Sequence, residues 1–383
     1  MSDEASDDPL FRPLTLGNIS LCHRVVMAPL TRMRSRQPGD MPQPMKMLYY
    51  QQRASQGGLI VTEATDISEQ ARGYPGVPGI HSEEQISGWR AITDAVHAKG
   101  GHIVLQIWHT GRISHPTMQP GGATPVAPSA VLPAGLRHLD ANGVEADLAL
   151  PHPLSIDEIA GVSATFRQAV LNARSAGFDG VEIHAANGYL IDQFLQDSSN
   201  LREDGYGGSI ANRARLLLEI VDFASSAWAP GNVGVRLSPW GSFNGMADSD
   251  PAALYTFIGA ELGKRSLAYL HVVEPRADQN SDVNAIDAGA PDAGRLLKQA
   301  FGGKIISAGG YVGATARAAL RDKRADAIAF GRLFIANPDL PLRLAEGLPM
   351  NRYDRSSFYG GTEQGYIDYP NYDPAAAIAG AKA

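Results

Sequence analysis

The sequence predicts an α/β protein built as a single (β/α)8 TIM barrel, with an N-terminal β-hairpin and a long insertion after the third strand. Three observations point there. Short apolar, β-rich runs recur eight times along the 383 residues, and eight longer amphipathic segments alternate with them. The runs are almost continuously hydrophobic, as parallel strands covered on both faces are. Polar and glycine residues gather where the runs end, the side on which such barrels carry their chemistry. Alternation alone leaves an open doubly wound sheet as the competing arrangement.

In chain order the predicted strands are residues 24–28 (RVVMA), 59–63 (LIVTE), 102–108 (HIVLQIW), 180–184 (GVEIH), 233–238 (VGVRLS), 269–274 (YLHVVE), 304–310 (KIISAGG) and 327–331 (AIAFG). Helical periodicity is best over 44–56, 83–99, 156–176, 212–227, 250–264, 292–301, 314–322 and 338–346. Gly57, Gly100, Gly177 and Gly347 follow such segments closely and suit helix ends. Ahead of the first strand, PLTLGNISL (13–21) reads as a hairpin turning at Gly17-Asn18, placed to plug the N-terminal mouth. Residues 109–154, rich in Gly and Pro, are too long for an ordinary βα loop and predict a functional subdomain on the catalytic face. The expected organisation is a disordered leader over 1–8, a barrel over 9–370 and a tail over 371–383.

The net charge is −7 and no Lys/Arg run stands out, so neither a nucleic-acid partner nor an anionic membrane surface has electrostatic support. Cys22 is the single cysteine, which excludes an internal disulfide and any Cys-ligated zinc or iron–sulfur cluster. The acidic start MSDEASDDPL is unlike a signal peptide, and no apolar stretch nears the roughly 20 residues that span a bilayer. The chain reads as cytoplasmic, as a monomer or homodimer.

The strand ends form a polar ring. Strand one ends in Ala28-Pro29-Leu30-Thr31, strand two in Glu63-Ala64-Thr65 and strand three in Gln106-Ile107-Trp108-His109. Strand four ends in His184, with Asn187-Gly188-Tyr189 after it; strand five carries Arg236; strands seven and eight end in Gly309-Gly310 and Gly331-Arg332. Such a ring suits a polar, planar, anionic ligand. Gly309 and Gly310 let backbone approach a phosphate and Arg332 adds a charge-assisted bond, or the glycines merely turn the chain. Arg236, on a strand that should be buried, needs an acceptor: either a structural carboxylate or an electron-rich ring. If the chain turns helically after strand four, His184 and Asn187 share a face and converge as two donors on one oxygen; the alternative is a bond between themselves. Tyr189 is a proton donor or a wall residue.

The motifs RVVMAPLTRMRS (24–35), GGLIVTEAT (57–65), QIWHTGRIS (106–114), HAANGYLIDQFLQDSSNLREDGYGGSIANRARLLLEIV (184–221) and AFGRLFIANPDLP (329–341) together resemble the Old Yellow Enzyme family. The likeness runs from about residue 10 to about 370. It is strongest to the bacterial alkene reductase branch, with the N-ethylmaleimide, pentaerythritol tetranitrate and morphinone reductases. The resemblance implies noncovalent FMN, NADPH or NADH as hydride donor, and reduction of α,β-unsaturated carbonyls, maleimides and nitroalkenes. Nitrate esters or nitroaromatics are implied as side substrates. It implies that Ala28, Pro29, Leu30 and Thr31 line the flavin, that Ala64 and Gln106 hold its pyrimidine edge, and that Arg236 faces N1 and the C2 carbonyl. Gly309, Gly310, Gly331 and Arg332 would hold the phosphate. His184 and Asn187 would bind the substrate oxygen, and Tyr189 would supply a proton. Tyr74, Trp108, Phe243 and Tyr359 would shape the pocket. Relatives carry His or Asn at the position of Asn187. Iron–sulfur relatives are excluded by the lone cysteine, and Thr31 disfavours the branch with Cys near the flavin.

Overall fold

The computed structural model describes residues 7–275, 287 and 289–375. Eight parallel strands close on themselves: β1 (Val25–Met27), β2 (Leu59–Val61), β3 (His102–Trp108), β4 (Gly180–His184), β5 (Val233–Leu237), β6 (Tyr269–Val273), β7 (Ile305–Ala308) and β8 (Ala327–Phe330). Closure comes from two pairings, β3 with β4 and β8 with β1. The open sheet is thereby excluded. Helices α1 (Pro44–Arg53), α2 (Glu83–His97), α3 (Ile156–Ser175), α4 (Ile210–Ala227), α5 (Pro251–Gly263), α6 (Ala293–Phe301), α7 (Gly313–Arg321) and α8 (Leu340–Glu346) follow the strands in turn. Side-chain capping starts several of them. Ser82 and Ser155 form full capping boxes at α2 and α3, and Gly347 ends α8 in the left-handed conformation.

Strand parity separates two cores. Val26, Leu59, Val61, Val104, Tyr269, Ile306 and Ala327 point into the lumen, whereas Val25, Ile60, Ile103, Val181, Val235, Leu270, Ile305 and Ile328 pack outward under the helices. The same parity turns Gln106, Glu182, Arg236 and His271 inward. The lumen is a packed interior whose upper layer is polar. The predicted hairpin exists as Leu14–Leu16 paired with Ile19–Leu21. Its Leu14, Leu16, Ile19 and Leu21 join the lumen cluster, and Asn18 N–H bonds Gly231 just before β5, so it closes the N-terminal mouth.

The structure corrects the sequence reading at three places. Asp8, assigned to a disordered leader, caps the turn Pro9–Phe11 through Leu10 N–H and pairs with Arg317 at 2.6 Å; residues 1–6 lie outside the described residues, as does the tail beyond 375. Two short helices, Leu190–Leu195 and Arg332–Ala336, went unread because each is a turn or so long and follows a strand end directly. The segment 109–154 contains little regular structure beyond a hairpin, Arg137–Leu139 with Glu145–Asp147, and a two-residue parallel pairing of Val126–Ala127 with His152–Pro153. Among the described residues no helix is long and apolar enough to cross a membrane.

Candidate active site

A cavity of about 720 Å³ opens at the C-terminal ends of the strands. That volume lies within the range of small-molecule and cofactor pockets. Fourteen of the eighteen residues singled out from the sequence line it: Ala28, Pro29, Leu30, Thr31, Tyr74, Asn187, Tyr189, Arg236, Phe243, Gly309, Gly310, Gly331, Arg332 and Tyr359. The other four, Ala64, Gln106, Trp108 and His184, are buried behind that lining.

The residues behind the lining form two supports. In the first, Gln106 Nε2 donates to Glu182 Oε1 at 2.7 Å, and Glu182 Oε2 meets His271 Nδ1 at 2.9 Å. Despite full burial, the charges of His271 and Arg236 hold the Glu182 carboxyl below its ordinary range. Arg236 therefore has a carboxylate in its electrostatic neighbourhood, yet its Nε finds no hydrogen-bond partner among the described residues. A buried guanidinium with an unpaired N–H on a cavity wall is a donor waiting for a ligand. In the second support, aromatic rings box one another. Trp108 stacks on Tyr74 at 5.8 Å and on His184 at 5.9 Å, while Tyr189 stands edge-on to Trp108 at 4.5 Å and to His184 at 5.1 Å. Asp66, unnoticed in the sequence, anchors this box by accepting Trp108 Nε1–H at 2.6 Å.

The protonation states follow from burial. His184 is pushed well below its ordinary value by desolvation and by the charges of Arg236 and His271, so it is neutral. Its Nδ1 accepts Ala186 N–H at 3.3 Å, which leaves Nε2–H as the ring's donor. Tyr189 is pushed well above 10 by burial and by Tyr74, whose hydroxyl lies 3.1 Å from its own, so its phenol keeps the proton.

The helical turn that would set His184 and Asn187 on one face does not form. Asn187 and Gly188 are both left-handed, with φ of +58° and +74°, and the chain reverses there before the helix Leu190–Leu195 begins. Asn187 is thus brought to the cavity by an Asn-Gly turn, whereas His184 is placed by the end of β4. The opposite wall is Gly309-Gly310, with φ of +138° and +118°. A Cβ at Gly309 would sit 2.9 Å from the Glu274 backbone oxygen, so only glycine lets this strand end pack. Walls of bare backbone at Gly309-Gly310 and a buried guanidinium whose Nε has no partner among the described residues fit a flavin mononucleotide. The insertion lends Leu139 to the lining and sets His138 edge-on to Tyr74 at 4.5 Å. Phe243 and Tyr359, 47% and 64% exposed, stand at the mouth.

The model of the NADH:flavin oxidoreductase / NADH oxidase family matches residues 9–351. The chain belongs to this family. A flavin oxidoreductase of Emericella nidulans is 46% identical over 382 residues, covering 95% of this chain and 97% of its own length. The 12-oxophytodienoate reductase 2 of Arabidopsis thaliana is 44% identical over 372 residues, covering 96% and 97%. Among solved structures, morphinone reductase superposes with a TM-score of 0.90 at 46% identity over 97% of this chain and 98% of that one. The same enzyme in complex with tetrahydroNAD gives a TM-score of 0.89. The Old Yellow Enzyme resemblance is therefore family membership. This family member is an FMN-dependent oxidoreductase that uses a nicotinamide hydride donor to reduce activated alkenes.

Proposed function

We propose that this flavin oxidoreductase reduces α,β-unsaturated carbonyls, maleimides and nitroalkenes at the cavity above β4 and β5, with His184, Asn187 and Tyr189 as its substrate-side groups. The observation that carries the reading is the meeting of Asn187, Tyr189 and Arg236 on one cavity whose far wall is Gly309-Gly310. Ala28, Pro29, Leu30 and Thr31 would line the flavin ring, Ala64 and Gln106 support its pyrimidine edge, and Arg236 meet the edge that gains charge. Gly309, Gly310, Gly331 and Arg332 would hold the phosphate through close backbone and one guanidinium. Bound FMN would supply a two-electron carrier between NADPH or NADH and the β-carbon of the alkene.

The chain's own residues do the rest. Neutral His184 donates from Nε2 and Asn187 from its amide to the activating oxygen, where charge develops as the enolate or nitronate forms. Tyr189, protonated at neutral pH, delivers its proton to the α-carbon. Tyr74 and Trp108 fix the Tyr189 ring, while Phe243 and Tyr359 narrow the entrance and exclude water. The same reading extends to nitrate esters or nitroaromatics as side substrates. It places a monomer or homodimer in the cytoplasm, where nicotinamide coenzymes are kept reduced.

Phenolates imitate the enolate oxygen, so p-hydroxybenzaldehyde should give a long-wavelength absorption band on the holoenzyme. His184→Ala and Asn187→Ala should each weaken that binding about tenfold or more, the loss of one hydrogen bond to a charged group. If both variants bind the phenol as tightly as the parent, these two residues are structural and the site reading fails.

A further inference from the structure

The turn that carries Asn187 is held in an unusual way. Asn187 is a non-glycine residue in the left-handed region, and Gly188 follows it there. A Cβ on Gly188 would come within 2.7 Å of both Asn244 Cβ and the Phe243 carbonyl oxygen, so the turn is pressed against the loop after β5. Three side chains lock its backbone. Asn187 N–H donates to Ser238 Oγ at 2.8 Å, Asn244 Nδ2 donates to the Asn187 carbonyl at 2.9 Å, and Gly188 N–H donates to Asp192 Oδ2 at 2.8 Å.

Asp192 is the centre of this lock. It lies on the short helix Leu190–Leu195 and is 1% exposed, with no cation in hydrogen-bond contact among the described residues. Three donors hydrogen-bond to it, Gly188 N–H, Gln196 Nε2 at 2.8 Å and the Tyr255 hydroxyl of α5 at 3.3 Å, and the nearby Ser238 hydroxyl also favours its ionised form. Ser238 stands next to both groups: its oxygen accepts from Asn187 N–H, and its hydroxyl favours the ionised form of Asp192. A buried carboxylate without a salt bridge is costly, and the proposed chemistry gives it no direct task.

We propose that Asp192 is a positioning residue of the active site: its carboxylate, acting through Gly188 N–H and Ser238, fixes the turn that aims the Asn187 amide at the substrate oxygen. The inference rests on the reading of Asn187 as a substrate donor. It also gives substrate binding a pH dependence. Burial pushes Asp192 up to about 6, so it is ionised above that pH and takes a proton below it. A protonated carboxyl turns one acceptor into a donor, and the donor set around it no longer matches.

The neighbouring groups leave that window clear. Arg112, which feels the Asp192 charge, is lowered only to about 10; Tyr255 is pushed well above 10; His184 is held well below its ordinary value by burial and by the charges of Arg236 and His271. On the α5 side, Asp248 is tied to Arg213 at 2.5 Å. His109, beside the helix start through its carbonyl bond to Leu190 N–H, is lowered to about 3.

The experiment is a double-mutant cycle on FMN-loaded enzyme, with KM for cyclohexenone, which does not titrate, measured from pH 5 to 8. Asn187→Ala and Asp192→Asn should each raise KM about tenfold at pH 7.5, and Asp192→Asn should add little in the Asn187→Ala background. The parent KM should climb as pH falls through about 6, and that climb should vanish in Asp192→Asn. Ser238→Ala, which leaves the carboxylate in place, should raise KM in the same non-additive way, and serves as the test should Asp192→Asn fail to hold FMN. If Asn187→Ala is harmless, the substrate-donor reading falls and takes this inference with it. If Asn187→Ala is harmful but the effects simply add, or the pH dependence survives Asp192→Asn, Asp192 does not act through Asn187 and the inference alone is overturned.

Discussion

Arg32 directly follows Thr31 of the cavity lining, and its guanidinium grips the C-terminal segment. Nε donates to the Phe358 carbonyl at 2.8 Å, and Nη2 to the carbonyls of Gly365 at 2.8 Å and Ser357 at 3.3 Å. Its central carbon lies 5.1 and 5.0 Å from the centroids of the Tyr49 and Tyr366 rings, which stack on each other at 4.1 Å. The segment it holds includes Phe358 and Tyr359, two walls of the cavity. Arg32→Lys keeps the charge but replaces a planar fork with a single ammonium that reaches one carbonyl well. At least one short charge-assisted bond is then lost, worth about 1.5–3 kcal/mol, and a buried carbonyl is left bare. Local opening of residues 357–366 should therefore become roughly 10–100-fold more frequent. Arg34, which also bonds Phe358, Ser357, Thr362 and Gln364, keeps the segment from leaving altogether. Amide hydrogen exchange reads this directly: residues 357–366 should exchange faster by that factor while the barrel strands stay protected, and KM for cyclohexenone should rise. Unchanged exchange in the segment would refute the idea that Arg32 braces the pocket wall.

Two further outcomes follow from the site. Tyr189→Phe should leave the bleaching of flavin by NADPH nearly unchanged, because hydride transfer to the flavin needs no phenol proton. Enone turnover should fall by roughly 10²–10⁴-fold, and rapid mixing separates the two half-reactions; equal slowing of both would make Tyr189 a wall residue. Arg332→Ala should weaken FMN retention by about 1.5–3 kcal/mol, the value of a charge-assisted contact, read as the FMN concentration needed for half reconstitution. Retention equal to the parent's would remove Arg332 from the phosphate site.

The barrel was legible because its signals are regional. A parallel strand needs a continuous apolar run, and all eight runs became strands within a residue or a few of their expected ends. The hairpin was legible from Gly17-Asn18 and from its alternating leucines and isoleucine. What escaped reading was set by contacts far apart in sequence. Asp66 meets Trp108, Asp192 meets Tyr255, and Arg32 meets Gly365; none of these pairings leaves a local pattern. The turn after β4 was left open although a signal existed. Asn187-Gly188 is a dipeptide that favours left-handed turns, and it outweighs the three-residue spacing that suggested a helix. His184 was singled out correctly as polar at a strand end. Strand parity alone does not say that Trp108 and Tyr189 cover it.

The central claim is that one cavity passes hydride from a nicotinamide to an activated alkene by way of FMN. The most direct measurement is anaerobic and optical. Addition of NADPH or NADH to the purified yellow protein should bleach the visible flavin absorbance, and cyclohexenone added afterwards should restore it, one equivalent for each flavin. A protein that binds no FMN on reconstitution, or one whose bleached flavin is returned by oxygen but by no activated alkene, would contradict the account.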